Sequence, residues 1–176
     1  MPSGKQFFDE LIEHWKAMPK STGPVPSKTA FSPMQVYTML HSLYFSERLD
    51  KYNIQLKLRG EKLERFSFGA VPRRNVYEVI PKRNWDAVEN YYDQFCSQPC
   101  AGHMIRLVTF DNGLVYNVET MELPLADRDG NPRYIVGLAE LTQNHAKSLE
   151  AQQSGVKLDE VTLYECWDLG YGVPKS

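Results

Sequence analysis

No apolar run in the 176-residue sequence approaches membrane-spanning length. Neither sign of charge is in surplus: 20 Lys and Arg stand against 22 Asp and Glu, for a net charge of −2. That balance gives no electrostatic reason to expect nucleic acid or an acidic membrane surface as a partner. Cysteine is scarce and odd in number, with Cys96, Cys100 and Cys166 alone. A disulfide framework is therefore not expected, and a reducing cytoplasm is the expected location. The opening segment carries Asp9, Glu10 and Glu13 in place of an unbroken apolar stretch, which argues against a secretory leader.

The spacings that carry common chemistries are missing too. There is no G-x-x-x-x-G-K-[ST], no G-x-G-x-x-G and no H-E-x-x-H. Gly60 stands where an alternating run meets a helical one, a place that could cradle a phosphate. Glu61 and Glu64 follow it, and carboxylates at a helix start oppose an anion. The favoured reading is a glycine needed to turn a corner. Cys96 and Cys100, in CSQPC, are spaced too widely for C-x-x-C and lack further ligands, so they read as free thiols at a helix end. His14, His41, His103 and His145 fall on separate elements. No catalytic residue and no metal ligand is predicted.

What is present is a globular composition, 42% apolar, in a chain long enough for one domain with a proper core. Ser3 with Gln6 has the form of a capping box. Phe7, Phe8, Leu11, Trp15 and Met18 then mark one face of a first helix, which Pro19 ends. Pro19 to Lys28 reads as a linker. A short helix is expected from Ser32 to Leu43, with Pro33 at its first position. Strands over Leu43 to Arg48 and Tyr52 to Arg59 precede a short helix, Glu61 to Phe68. A longer helix runs from Trp85 to Phe95 after Asn84.

Beyond Gly102 the period changes to two. Asn112-Gly113 is the strongest short hairpin signal in the chain. With those two residues as the turn, Leu107 pairs with Val118, Arg106 with Glu119, Ile105 with Thr120 and His103 with Glu122. A second hairpin turns at Asp129-Gly130-Asn131, and Arg133 to Leu141 returns. Helices and strands that segregate in this way predict the α+β class. The predicted organisation is a helix and linker over 1–30, a central domain over 31–143, and a helix or tail over 144–176, irregular around GVKLDEVTLYECWDLGYGVP.

Two strands, several helices and a three-stranded meander, over Phe31 to Gln143, resemble the PAS domain. More narrowly, the chain is similar to the stand-alone PAS proteins common in alphaproteobacteria. The residues that suggest it are Trp15 in the leading helix, YNIQLKLRGEKL, the ELPLADRDG turn and YIVGLAELT. The resemblance implies a five-stranded antiparallel sheet with helices over one face and a small ligand held between them. It also implies signalling through dimerisation or strain passed to flanking helices. Gly60 stands where many PAS domains carry Asn or Asp. NVYEVIPKRNW lacks the reactive Cys of the light-sensing flavin class, and Trp85 to Phe95 lacks a haem-binding His. Both argue against those cofactors, and none is assigned.

The similar run on the last meander strand would aim Ile135, Gly137 and Ala139 at the ligand. Tyr116, Val118, Thr120 and Glu122 would face it from the preceding strand, and Ile105 and Leu107 from the one before. Leu56, Leu58, Phe66 and Tyr91, with Trp85, Tyr92 and Phe95, complete an apolar lining that suits an apolar or aromatic molecule with one or two polar anchors, or else a filled core. His103 beside Glu122 is the one acid–base candidate, against the plainer reading of a cross-strand polar pair. The opposite face carries Met104, Val108, Phe110, Met121, Leu123, Val136 and Leu138, too apolar to meet water. Phe7, Phe8, Leu11 and Trp15 are expected to cover it, from the same chain, from a second subunit, or both. The functional expectation is a non-enzymatic bacterial sensor, homodimeric, acting on an unidentified signalling protein. A ligand-free interaction adaptor and a small enzyme using His103 and Glu122 are the alternatives.

Overall fold

In the computed structural model, which describes residues 4–21, 23–65, 73–78, 80–143 and 156–175, the alternating runs become strands of one antiparallel sheet. The helix α1 spans Gly4–Ala17. The strands β1 (Leu43–Asp50) and β2 (Asn53–Arg59) form a hairpin, followed by the short helix α2 (Glu61–Arg65) and the longer α3 (Trp85–Ser97). Then come β3 (Cys100–Phe110), β4 (Val115–Ala126), β5 (Pro132–Gln143) and β6 (Val156–Asp168). The protein is α+β, and the strand order is β2-β1-β5-β4-β3-β6.

The sheet therefore has six strands, not the five expected, because the presumed tail pairs with β3 over its length. Two register shifts hide this strand from a period-two reading. Val161 lies opposite Arg106 while Leu163 lies opposite Ile105, so Thr162 is an extra residue, and Lys157 is another. Each bulge moves the apolar alternation onto the other parity.

The β3–β4 hairpin also departs from expectation. The Phe110 amide donates to the Leu114 carbonyl at 2.9 Å, so the loop is three residues, Asp111-Asn112-Gly113. Gly113 has φ +81°, the left-handed conformation that such a loop places before the returning strand. The pairing moves by one residue: Met104 faces Thr120, Arg106 faces Val118, His103 faces Met121 and Gly102 faces Glu122. A slip of one exchanges the two faces of β3. Ile105 and Leu107 consequently lie on the face opposite Val118 and Thr120, and Met104 leaves the face to which it was assigned.

One face of the sheet is closed by α1. Phe8, Leu11, Trp15 and Met18 form a single buried cluster with Leu43, Met121, Leu123, Val136 and Leu138, with Phe7 packed at its edge. Trp15 Nε1 donates to the Pro124 carbonyl at 2.7 Å. The helix is part of the core, and the segment read as a linker is pinned as well: Val25 is buried, and the Ala126 amide donates to the Pro26 carbonyl at 2.8 Å. The expected second helix is a 3-10 helix, Pro33–Ser42, kinked at Val36. Its end explains Gly60: a Cβ there would lie 2.2 Å from the Leu40 carbonyl oxygen. No helix among the described residues is long and apolar enough to cross a membrane.

Candidate ligand-binding site

On the other face, α3 and the segments around it stand over β1 to β5 and leave a cavity of about 150 Å³. Its walls are mostly apolar. Leu56 comes from β2, Val118 and Thr120 from β4, Ala139 from β5, Met104 from β3, Val88 from α3 and Val161 from β6. Tyr44, Ser46, Arg59, Arg106, Tyr92 and Glu122 bring polar groups to it.

The polar end is built on one row across the sheet. The register aligns Tyr44, Gly137, Glu122, Gly102 and Cys166 on five adjacent strands. Glu122 is thus flanked by two glycines. A Cβ at Gly137 would lie 2.3 Å from the Tyr44 ring, and one at Gly102 would lie 2.3 Å from the Tyr91 hydroxyl. The missing side chains make room for these rings beside the carboxyl. Tyr44 Oη donates to Glu122 Oε1 at 2.6 Å, and Tyr92 Oη reaches the same oxygen at 3.3 Å. The Tyr91 hydroxyl lies buried above Gly102, near enough to the Glu122 carboxyl for each to affect the other's acidity.

Burial dominates the electrostatics here. It pushes the Glu122 carboxyl above its ordinary range, against the tyrosine hydrogen bonds and the positive charge of Arg106, which favour ionisation. Burial, and then the charge on Glu122, raises the hydroxyls of Tyr44, Tyr91 and Tyr92 well above theirs. The upward shift brings the protonated form of this carboxyl, a hydrogen-bond donor, closer to use by whatever enters the cavity.

Of the residues expected to bind a ligand, Leu56, Val118, Thr120 and Ala139 line the cavity. Ile135 and Tyr91 pack in the cluster under α3, and Tyr116 joins Val108 and Phe110 in a neighbouring one. Gly137 serves by making space for Tyr44. Leu58 is 46% exposed. A bulge places Ser46 opposite Leu56 but Phe45 opposite Leu58, so Lys57 is extra and Arg59, not Leu58, turns inward. Ile105 and Leu107 are half-buried on the far face, and Phe66 lies outside the described residues. Met104, expected at the interface face, is a cavity wall, while Val108 and Phe110 are also on the inner side. Met121 and Leu123 lie beneath α1 of their own chain.

Tyr44, Ser46, Arg59, Arg106 and Val161 escaped the sequence reading. Tyr44 and Ser46 alternate in β1 and carried a usable signal; Arg106 required the correct hairpin loop.

The proposed pairing of His103 with Glu122 does not form. His103 points to the α1 side, where Nε2 meets Glu119 Oε1 at 2.8 Å and Nδ1 meets Glu165 Oε1 at 3.1 Å. The Trp167 ring lies 4.7 Å from the imidazole. Arg106 correspondingly leaves Glu119 and joins the cavity.

A second polar centre lies about one turn before Tyr92 on α3, at Glu89. Glu89 accepts from Arg48 Nη2, from Tyr77 Oη at 2.6 Å and from the Tyr52 amide at 3.1 Å. Arg48 Nη2 also meets Asp93. Hydrogen bonds from Tyr77, Arg48 and the Tyr52 amide outweigh burial and lower the Glu89 pKa.

Among the described residues, no group of three or more His, Cys, Asp or Glu side chains is placed to hold a metal ion. Compared with protein-family models and with curated protein sequences, the chain matches none.

Proposed function

We propose that the chain is a stand-alone PAS-type sensory protein that binds a small, mainly apolar or aromatic molecule between sheet and helices and acts through protein contacts without turnover. The observation that carries this reading is the cavity of about 150 Å³, apolar along its walls and polar at Glu122. The succession of two strands, short helices, a longer helix and a three-stranded meander supports the PAS reading, as do the helices over one face. The separation of His103 from Glu122 onto opposite faces removes the pair on which an enzymatic alternative stood.

Arg59 and Arg106 bring positive charge to the cavity, and the protonated form of Glu122, which burial favours, adds a donor. They favour a ligand whose polar end is an acceptor, such as a carbonyl or carboxylate. The partner is an unidentified signalling protein, and assembly as a homodimer is part of the proposal.

Native mass spectrometry of the purified chain tests both points, reporting the dimer and any retained molecule. Thermal shifts with benzamide, benzoate and cyclohexanone then test the ligand class. The reading expects a shift with at least one probe, abolished in Ala139→Leu, which fills the cavity. No retained molecule, no shift with any probe, and greater stability in Ala139→Leu alone would overturn the ligand reading in favour of an adaptor with no ligand.

A further inference from the structure

The three cysteines, distant in sequence, meet at one corner of the molecule. Cys96 lies near the end of α3, Cys100 opens β3 and Cys166 lies near the end of β6. The β3–β6 register pairs Gly102 with Cys166 and Cys100 with Asp168. Cys100 and Cys166 are therefore diagonal neighbours on one face of adjacent strands. Both belong with Cys96 to the apolar cluster beneath α3, and the residue opposite Cys166 is Gly102.

The two thiols are not equivalent. The neighbouring sulfur and burial raise the Cys100 pKa, whereas the same neighbour lowers that of Cys166. Cys100 is fully buried, whereas Cys166 is only partly so and meets solvent. Cys96 is buried, and desolvation pushes its thiol up to about 12. Of the three thiols, Cys166 is thus both the one that a small oxidant can reach and the one whose thiolate is favoured.

We propose that Cys166 and Cys100 form a peroxide-responsive pair, with Cys166 as the attacking thiolate and Cys100 as the resolving thiol, closing a reversible disulfide between β6 and β3. In the first step the Cys166 thiolate attacks one oxygen of hydrogen peroxide. The O–O bond breaks, Cys166 becomes a sulfenic acid, and hydroxide leaves and takes up a proton as water. In the second, the Cys100 sulfur attacks the Cys166 sulfur. The S–O bond breaks, and the departing hydroxide leaves as water with the Cys100 proton. Two thiol electrons reduce the peroxide in all, and a dithiol reductant restores the pair. The disulfide fastens the edge strand β6, whose Val161 is a wall of the cavity, to the strand beside it. The pair is independent of whether the cavity holds a ligand.

The test is peroxide treatment of the reduced full-length chain, followed by alkylation of remaining thiols and mass mapping of the peptides. The expected product has lost two hydrogens per chain, carries a Cys100–Cys166 link, and returns to the dithiol with dithiothreitol. Cys96→Ser should give the same link. Cys100→Ser should stop at a Cys166 sulfenic acid that dimedone traps, and Cys166→Ser should leave Cys100 reduced. A Cys96–Cys100 link, overoxidation of Cys166 without any link in the natural chain, or no reaction would each overturn the proposal.

Discussion

Two glutamates, Glu89 on α3 and Glu122 on β4, are almost equally buried, with 3% and 4% of their surfaces exposed. Their acidities move in opposite directions. Glu89 sits against the Arg48 guanidinium and also accepts from Tyr77 and from a backbone amide. Glu122 has tyrosine hydroxyls as its immediate neighbours, with Arg106 acting on it as a weaker, more distant charge. Burial penalises both carboxylates, more heavily at the deeper Glu122, and at Glu89 direct contact with a cation and charge-assisted hydrogen bonds reverse the outcome. The first arrangement ties β1, α3 and the segment at Tyr77 together. The second leaves a protonatable group beside an empty space. That difference separates a structural polar centre from a candidate binding site.

The largest break in this comparison is expected from Arg48→Ala. It strands the Glu89 charge beneath α3, and losing one partner of a buried pair costs about 3–5 kcal/mol, read as a lower midpoint in urea unfolding.

Next in size are the pH profiles. Glu89, with its pKa lowered, binds fewer protons in the folded chain than in the unfolded one. Its contribution is present above the ordinary glutamate value of 4.5 and is lost as pH falls through the folded value. Glu122 has the opposite sign. Its contribution is full below 4.5 and is lost as pH rises through its raised folded value. Each slope is at most about 1.4 kcal/mol per pH unit. Glu89→Gln should flatten the stability profile on the acid side of that value, and Glu122→Gln on the alkaline side. Identical profiles for the two variants would remove the contrast.

The hydroxyls sharpen the comparison further. Tyr77→Phe removes a donor to a charged acceptor and should cost about 1.5–3 kcal/mol, whereas Tyr44→Phe removes one from an acceptor whose ionised form burial disfavours and should cost about 0.5–1.5 kcal/mol. Equal costs in the same unfolding assay would mean that both carboxyls carry the same charge.

Legibility in the sequence followed the regularity of the backbone. The inward faces of β4 and β5 were readable from Tyr116 to Glu122 and from Ile135 to Ala139, since alternation there is unbroken across the core. The apolar stripe of α1 likewise announced that it must cover something. Leu58 and the whole of β6 were misread because single extra residues, at Lys57, Lys157 and Thr162, reverse parity without leaving a compositional mark. Ile105, Leu107, Met104 and His103 were assigned to the wrong faces for a related reason. Asn112-Gly113 fits a two-residue loop as well as a three-residue one, and the choice inverts every side chain of β3.

From the sequence by itself came the α+β class, the central hairpin, the amphipathic α1 and the inward run that ends at Glu122. These are local properties, set by periodicity and by turn residues a few positions apart. The tertiary structure alone decided what surrounds Glu122. Gly102 and Gly137 acquire their meaning only when Tyr91, from an adjacent layer, and Tyr44, from a neighbouring strand far away in sequence, fill the space that they leave. A carboxyl's charge depends on which dipoles and cations lie within a few ångströms of it, and no spacing along the chain records that.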